Sequence, residues 1–195
     1  MWALPSIRLI GSTTAIFAAS VALFQYDIKK VVAYSTTRQL GLMITAIGLK
    51  LPHLALFHIC THAFFKALLF LCSGRVIHSF KKEQDLRKMG TAIAATPFTT
   101  RTLLIARLAL CGVPFLAGFY SKDLILEATS ARVTKCIGAT LALIATFLTA
   151  AYSLRVVYFT RFYSPKNHPK IPIREEDLNL IFPLTRLLAG ALISG

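Results

Sequence analysis

The sequence predicts an all-α, polytopic membrane helix bundle with five full spans, a truncated sixth and one broken helix near Pro114. Three observations carry that prediction. Of 195 residues, 55% are hydrophobic and 15% charged, whereas a soluble globular domain carries about 25% charged residues. The apolar residues gather in blocks of roughly 17–25, the length that crosses a ~30 Å hydrocarbon core at about 1.5 Å per residue. The basic residues, 22 Lys and Arg against 8 Asp and Glu, fall largely between the blocks, as a topology signal does. Disorder, collagen and coiled coil are excluded by the same composition. A net charge of +14 would point to nucleic acid in a soluble domain. Here it reads as loop charge, so the expected partner is the lipid bilayer and no nucleic acid.

Taken in order, the first block covers residues 7–24 and the second 31–49. The third, 52–80, is long enough to tilt or to run past the bilayer. The fourth, 91–128, is too long for one straight helix and contains Gly112, Pro114 and Gly118. Proline removes a backbone donor and clashes with the preceding turn, while glycine permits the bend. The fifth block is 136–160, and the sixth runs from about 178 to 195. Together they form a single transmembrane domain, residues 1–195.

Loop charges orient it. Lys29 and Lys30 follow the first block, Lys81, Lys82, Arg87 and Lys88 the third, and Arg161, Lys166, Lys170 and Arg174 the fifth. The alternate side holds only Arg8, Lys50, Arg132 and Lys135. The odd-to-even loops therefore face the positive-inside compartment. The run KKEQDLRK is expected to be a solvated loop, and PKNHPKIP an extended connector, because its prolines forbid helix. Cys60, Cys72, Cys111 and Cys136 form no CxxC pair, so they read as buried free thiols with no metal site.

Ionisable residues within the blocks demand a reason, since each costs ~2.5–3.5 kcal/mol at the bilayer centre on insertion scales. The third block reads HICTHAFFKALLFLCSG. At about 100° per residue, His62 lies about 40° and Lys66 about 80° from His58, so all three share one face. A histidine accepts and releases protons near neutral pH, and burial makes the charged form of a lysine costly. Such groups in register favour a proton path over polar groups merely satisfied by neighbouring helices. In the fourth block, CGVPFLAGFYSKDLILE, a helix break exposes backbone groups at membrane depth, which is tolerated where they line a cavity. Interrupted helices recur at transporter ion sites. Lys122 and Asp123 follow the break, and Asp123 and Glu127 share a face. Spacing alone leaves open that Ser-Lys-Asp marks the end of a span, with its charges at the surface. Ser35, Thr36 and Thr37 read as helix-packing contacts, and His53 and His78 as interfacial.

The strings DIKKVVAYSTTRQLGLM, HICTHAFFKALLFLCSG, EQDLRKMG and GVPFLAGFYSKDLILE resemble the antiporter-like chain 5 family of mitochondrial NADH–ubiquinone oxidoreductase, respiratory complex I. The resemblance extends from about Gly11 to the end of the chain. It implies a proton-translocating membrane subunit of that enzyme, in the mitochondrial inner membrane, coupled to electron transfer and partnered by other membrane subunits of complex I. It further implies no catalytic centre in this chain. NADH, FMN, iron–sulfur clusters and ubiquinone would belong to the rest of the complex. By the same resemblance, His58, His62 and Lys66 match a central relay, Lys122 matches the lysine of the broken helix, and Asp123 is its neighbour. The chain would be a middle-to-late portion of a longer proton-translocating domain. Two alternatives stand beside this: a subunit of a cation/proton antiporter, and a non-functional fragment of a mitochondrial reading frame.

The sequence departs from the family at Arg38, Arg75, Arg107 and Lys50, where the resemblance implies serine at the first three and asparagine at the fourth. Some invertebrate mitochondria read AGA and AGG as Ser, and some read AAA as Asn. The expectation is that a mitochondrial reading frame has here been translated with the standard code.

Overall fold

Apolar runs without internal breakers form long helices, and the glycine- and proline-bearing run divides. In the computed structural model, residues 3–80, 82–90, 92, 96–130, 136–163 and 178–194 are described. Seven helices lie among them: α1 (Ala3–Phe24), α2 (Ile28–Gly48), α3 (Pro52–Ser79), α4 (Pro97–Cys111), α5 (Ala117–Ser130), α6 (Cys136–Arg161) and α7 (Leu178–Ile193). A short 3₁₀ turn, Leu86–Lys88, lies between α3 and α4. Pro52 and Pro97 open α3 and α4, where the missing N–H leaves no ladder bond unmade.

Three of these helices contain segments long and apolar enough to cross a membrane: Leu4–Phe24, Pro52–Ser79 and Thr140–Arg161. Asn179–Ile193 is apolar but shorter. The second expected block forms α2 yet falls outside that set. It carries the consecutive polar pair Arg38 and Gln39, both fully buried, so its polar face is turned into the bundle. The fourth block is two helices, α4 and α5, separated at residues 112–116.

Large apolar side chains point outward. Phe17, Phe147, Phe182 and Ile193 are exposed, while Ser35, Gln39, His58 and Thr61 are completely buried. That arrangement suits a surrounding apolar solvent. α1 and α2 form a hairpin at very close range: a Cβ added at Gly11 would lie 2.8 Å from the Gly41 carbonyl oxygen. Small residues at such a contact let backbones meet, the usual basis of helix association in lipid. α3 packs against α2, α4, α5 and α7, so it is central. The core beside it is built from Val32, Phe65, Leu69, Leu110, Tyr152 and Leu184.

One end of the bundle is tied by loops. Ile28 N–H donates to Gln84 O (3.0 Å) and Leu86 N–H to Tyr26 O (2.9 Å), joining the α1–α2 turn to the loop after α3. The Tyr26 ring lies between Arg87, 4.2 Å from its centroid, and Arg155 of α6, at 4.3 Å. The KKEQDLRK loop is solvated at its charges, with Lys82, Arg87 and Lys88 exposed, but not at Leu86, which is buried where backbone pairing with residues 26–28 pins the loop down. The connector at 165–172 lies outside the described residues. A second correction concerns the thiols. Cys72 is buried, but Cys60 is exposed on the outer face of α3; membership of an apolar block does not decide which face a residue takes. The Cys136 side chain lies outside the described residues.

Candidate functional site

The break between α4 and α5 is closed locally by backbone hydrogen bonds. Gly112 adopts φ 84°, a left-handed conformation that glycine takes without a Cβ penalty. Its N–H donates to Ala109 O and that of Val113 to Leu108 O, each at 3.2 Å, which is the Schellman pattern of helix ends. Pro114 follows, and α5 restarts at Ala117. A Cβ at Gly118 would stand only 2.0 Å from the Ala109 carbonyl oxygen, so the two half-helices meet where only glycine fits. The three residues Gly112, Pro114 and Gly118 thus form one device.

Into this junction reaches Lys122, buried to 4% exposure. Its Nζ donates to the Leu110 carbonyl, one of the carbonyls that a helix C-terminus leaves without an intrahelical partner. A cation there also meets the negative end of the helix dipole. Lys122 therefore does not mark a surface terminus. Asp123, the next residue, is exposed and lines with Lys122, Cys111, Thr146 and Phe147 a cavity of about 360 Å³.

The α3 face is as the helical period predicts. His58 and His62 stack with ring centroids 6.0 Å apart, and His62 meets the edge of Phe65 at 5.2 Å. His58 is fully buried. Its Nδ1 lies 2.9 Å from Ser121 Oγ and its Nε2 3.1 Å from Gln39 Oε1. His62 is partly buried, and its Nε2 has no hydrogen-bond partner among the described residues. One turn on, Lys66 donates to Val32 O at 2.6 Å and to Ser35 Oγ at 2.5 Å, with its Nζ 5.6 Å from the Phe70 ring centre.

The structure brings His58, His62, Lys66 and Lys122 into one polar interior bounded by α2, α3, α4 and α5, and sets Asp123 at its rim. Sequence reading missed Gln39, Thr61 and Ser121, which join three helices around His58. It also took Ser35 for a packing residue, whereas Ser35 holds the Lys66 ammonium. A polar side chain inside an apolar block was the available signal for Gln39.

Two arginines share this interior. Arg38 and Arg107 are each 0% exposed, and none of their guanidinium nitrogens has a hydrogen-bond partner among the described residues. Lys50, in the turn between α2 and α3, has φ 64°, a region where asparagine is enriched among non-glycine residues.

Residues 1–149 match the profile described as NADH:quinone oxidoreductase/Mrp antiporter, transmembrane. The chain belongs to that family. Residues 152–195 match a second profile, the C-terminus of NADH dehydrogenase subunit 5. Among curated proteins, NADH-ubiquinone oxidoreductase chain 5 of the sea urchin Strongylocentrotus purpuratus is 57% identical over 97% of this chain, and 30% of its own length is covered. That of the starfish Patiria pectinifera is 54% identical over 96% of the chain and 29% of its own length. The rat protein is 52% identical over 95% and 30%. The chain thus spans about a third of the length of these relatives, and the family segment it represents holds both the broken helix and the histidine–lysine face.

Proposed function

We propose that the chain is part of a proton-translocating membrane subunit of respiratory NADH:ubiquinone oxidoreductase, working in the mitochondrial inner membrane beside the other membrane subunits of that complex. In this reading α1, α2, α3 and α6 each cross the bilayer, α4 and α5 make one broken crossing, and α7 belongs to a sixth. Electron transfer takes place elsewhere in the complex, and this segment conducts protons along His58, His62, Lys66 and Lys122, with Asp123 at the mouth on the Lys122 side.

The observation that carries the reading is Lys122 on the free carbonyl end of α4. There the side chain has one backbone acceptor for its proton and a cavity on its other side, the geometry of a group that passes a proton on. The cavity beside Lys122 has room for water that could carry the proton onward.

The test is made in the intact complex carrying the full-length chain. Lys122→Met keeps the bulk of the side chain and deletes the proton site. Quinone-linked proton pumping should fall sharply while the complex still assembles. Normal pumping by an assembled Lys122→Met complex would refute the assignment. Sodium-dependent proton movement without quinone turnover would instead favour the cation/proton antiporter, the other activity in the family's description.

A further inference from the structure

His58 is held from two sides, by the Gln39 amide and the Ser121 hydroxyl. A neutral imidazole has one N–H donor and one acceptor nitrogen. With the Gln39 carbonyl oxygen, which only accepts, facing Nε2 at 3.1 Å, the His58 proton resides on Nε2; the other end of that amide, Gln39 Nε2, has no hydrogen-bond partner among the described residues. That leaves Nδ1 as the acceptor, and the group facing it at 2.9 Å is the Ser121 hydroxyl. Thr61 Oγ1 lies 3.1 Å from both Ser121 Oγ and the His58 backbone carbonyl, two acceptors for its one hydrogen. The single hydrogen of Ser121 finds Nδ1 as its nearest acceptor; the Ala117 carbonyl is farther away at 3.5 Å. All four side chains are buried to within about 1%, so no bulk water competes for these bonds.

We infer that Gln39 and Ser121 are positioning residues of the proton path: Gln39 fixes the tautomer of His58, and Ser121 connects its open nitrogen to the broken helix. The inference rests on the proton-path reading and deepens it. Ser121 immediately precedes Lys122 on α5, so it is the one described hydroxyl that touches His58 from the helix bearing the essential lysine. Proton passage balances simply. A proton arriving at Ser121 Oγ stays there as the hydroxyl hydrogen moves to His58 Nδ1. The serine is regenerated neutral and the imidazole becomes cationic; the reverse transfer restores both. Gln39, an amide, takes no part beyond holding Nε2–H. The charged and titratable groups facing His58 are Lys122 from α5, Arg38 from α2 and His62 on its own helix.

The experiment compares Ser121→Ala, Ser121→Thr, Gln39→Leu and Lys122→Met in the intact complex with the full-length chain. It measures protons moved per quinone reduced across a range of pH. Ser121→Ala should lower pumping roughly tenfold or more, a typical scale for loss of a positioned proton-transfer group. Ser121→Thr, which keeps the hydroxyl, should restore most of it. Gln39→Leu should shift the pH profile of pumping, because both tautomers of His58 then become accessible. Equal pumping by the Ala and Thr variants, with an unshifted profile in Gln39→Leu, overturns the inference. Gln39 lies on a different helix from Ser121, so its profile decides the matter should Ser121→Ala fail to assemble. If Lys122→Met alone abolishes pumping, the proton-path reading stands and only this inference falls. If Lys122→Met pumps normally, that reading falls first.

Discussion

Two buried lysines, Lys66 and Lys122, and two buried arginines, Arg38 and Arg107, are treated differently by this bundle. Lys66 reaches the Val32 carbonyl and the Ser35 hydroxyl, and Lys122 reaches the Leu110 carbonyl. Arg38 and Arg107, equally enclosed, make no hydrogen bond through their guanidinium nitrogens among the described residues. A lysine can shed its proton when burial makes the charge costly, but an arginine stays charged at any pH a protein meets. The lysine sites are thus built for their occupants: oxygen atoms converge where the ammonium sits. The arginine sites make no hydrogen bond to the guanidinium among the described residues, and a small, weakly polar side chain would leave no such nitrogens unpaired. This contrast supports the expectation of serine at those positions and separates residues that belong to the site from residues that merely occupy it.

The sharpest way to break the comparison is to make a lysine behave like an arginine. Lys122→Arg preserves the charge and should abolish pumping as thoroughly as loss of the side chain, because a guanidinium does not release its proton. A Lys122→Arg complex that pumps normally would mean that charge, not proton exchange, is what the junction uses. Next in size is the converse change. Arg38→Ser and Arg107→Ser, made in the chain as written, should each stabilise insertion by ~2.5–3.5 kcal/mol, the cost of a central charge on insertion scales. The same expectation predicts that peptide masses of the protein isolated from its native membrane show serine at 38 and 107 and asparagine at 50. Arginine at both buried positions in that protein would end the idea.

The smallest effect concerns an arginine that does have a partner. Arg87, in the loop, pairs with Asp85 at 2.8 Å, and its side-chain hydrogen bonds hold the Asp85 carboxyl below the ordinary value of 3.8. A depressed carboxyl contributes stability above its unfolded value and loses it as pH falls through its folded value. The 3₁₀ turn should therefore persist as pH drops just past 3.8 and loosen only at lower pH. Asp85→Asn should remove that acid dependence with little other change. Amide hydrogen exchange at residues 84–88 measures it, and acid sensitivity unchanged by Asp85→Asn would contradict the pairing.

Much of this was legible in the residues. Runs of apolar side chains gave the helices nearly to the turn, since length and hydrophobicity alone determine where a chain can cross lipid. The Gly-Pro-Gly region gave the break because backbone chemistry is local, and the helical period placed His58, His62 and Lys66 on one face for the same reason. What was not legible depends on contacts between distant segments. Gln39 and Ser121 meet only because α2 and α5 both pack on α3, and neither carries a charge to advertise its role. The loop at 82–90 exposes its charges as expected, but the burial of Leu86 and Met89 follows only from its pairing with the backbone of residues 26–28. Cys60 and Cys72 lie in the same apolar block, yet one is exposed and the other enclosed, a difference set by which neighbours α3 has on each side.

The stack of Arg87, Tyr26 and Arg155 has a mechanical consequence. It fastens the α1–α2 turn, the loop after α3 and the last turns of α6 at a single aromatic ring. Tension along α6 then has a direct load path to the α1–α2 hairpin that bypasses the centre of the bundle. Away from that end, the α4–α5 junction is held by the Gly112 turn, the Leu116 N–H bond to Val113 O, the close approach of Gly118 to Ala109 and the Lys122 bond to the Leu110 carbonyl. A shift of α5 against α4 therefore has to move Lys122 relative to its carbonyl partner, whereas a shift at the other end has to break the aromatic clamp first.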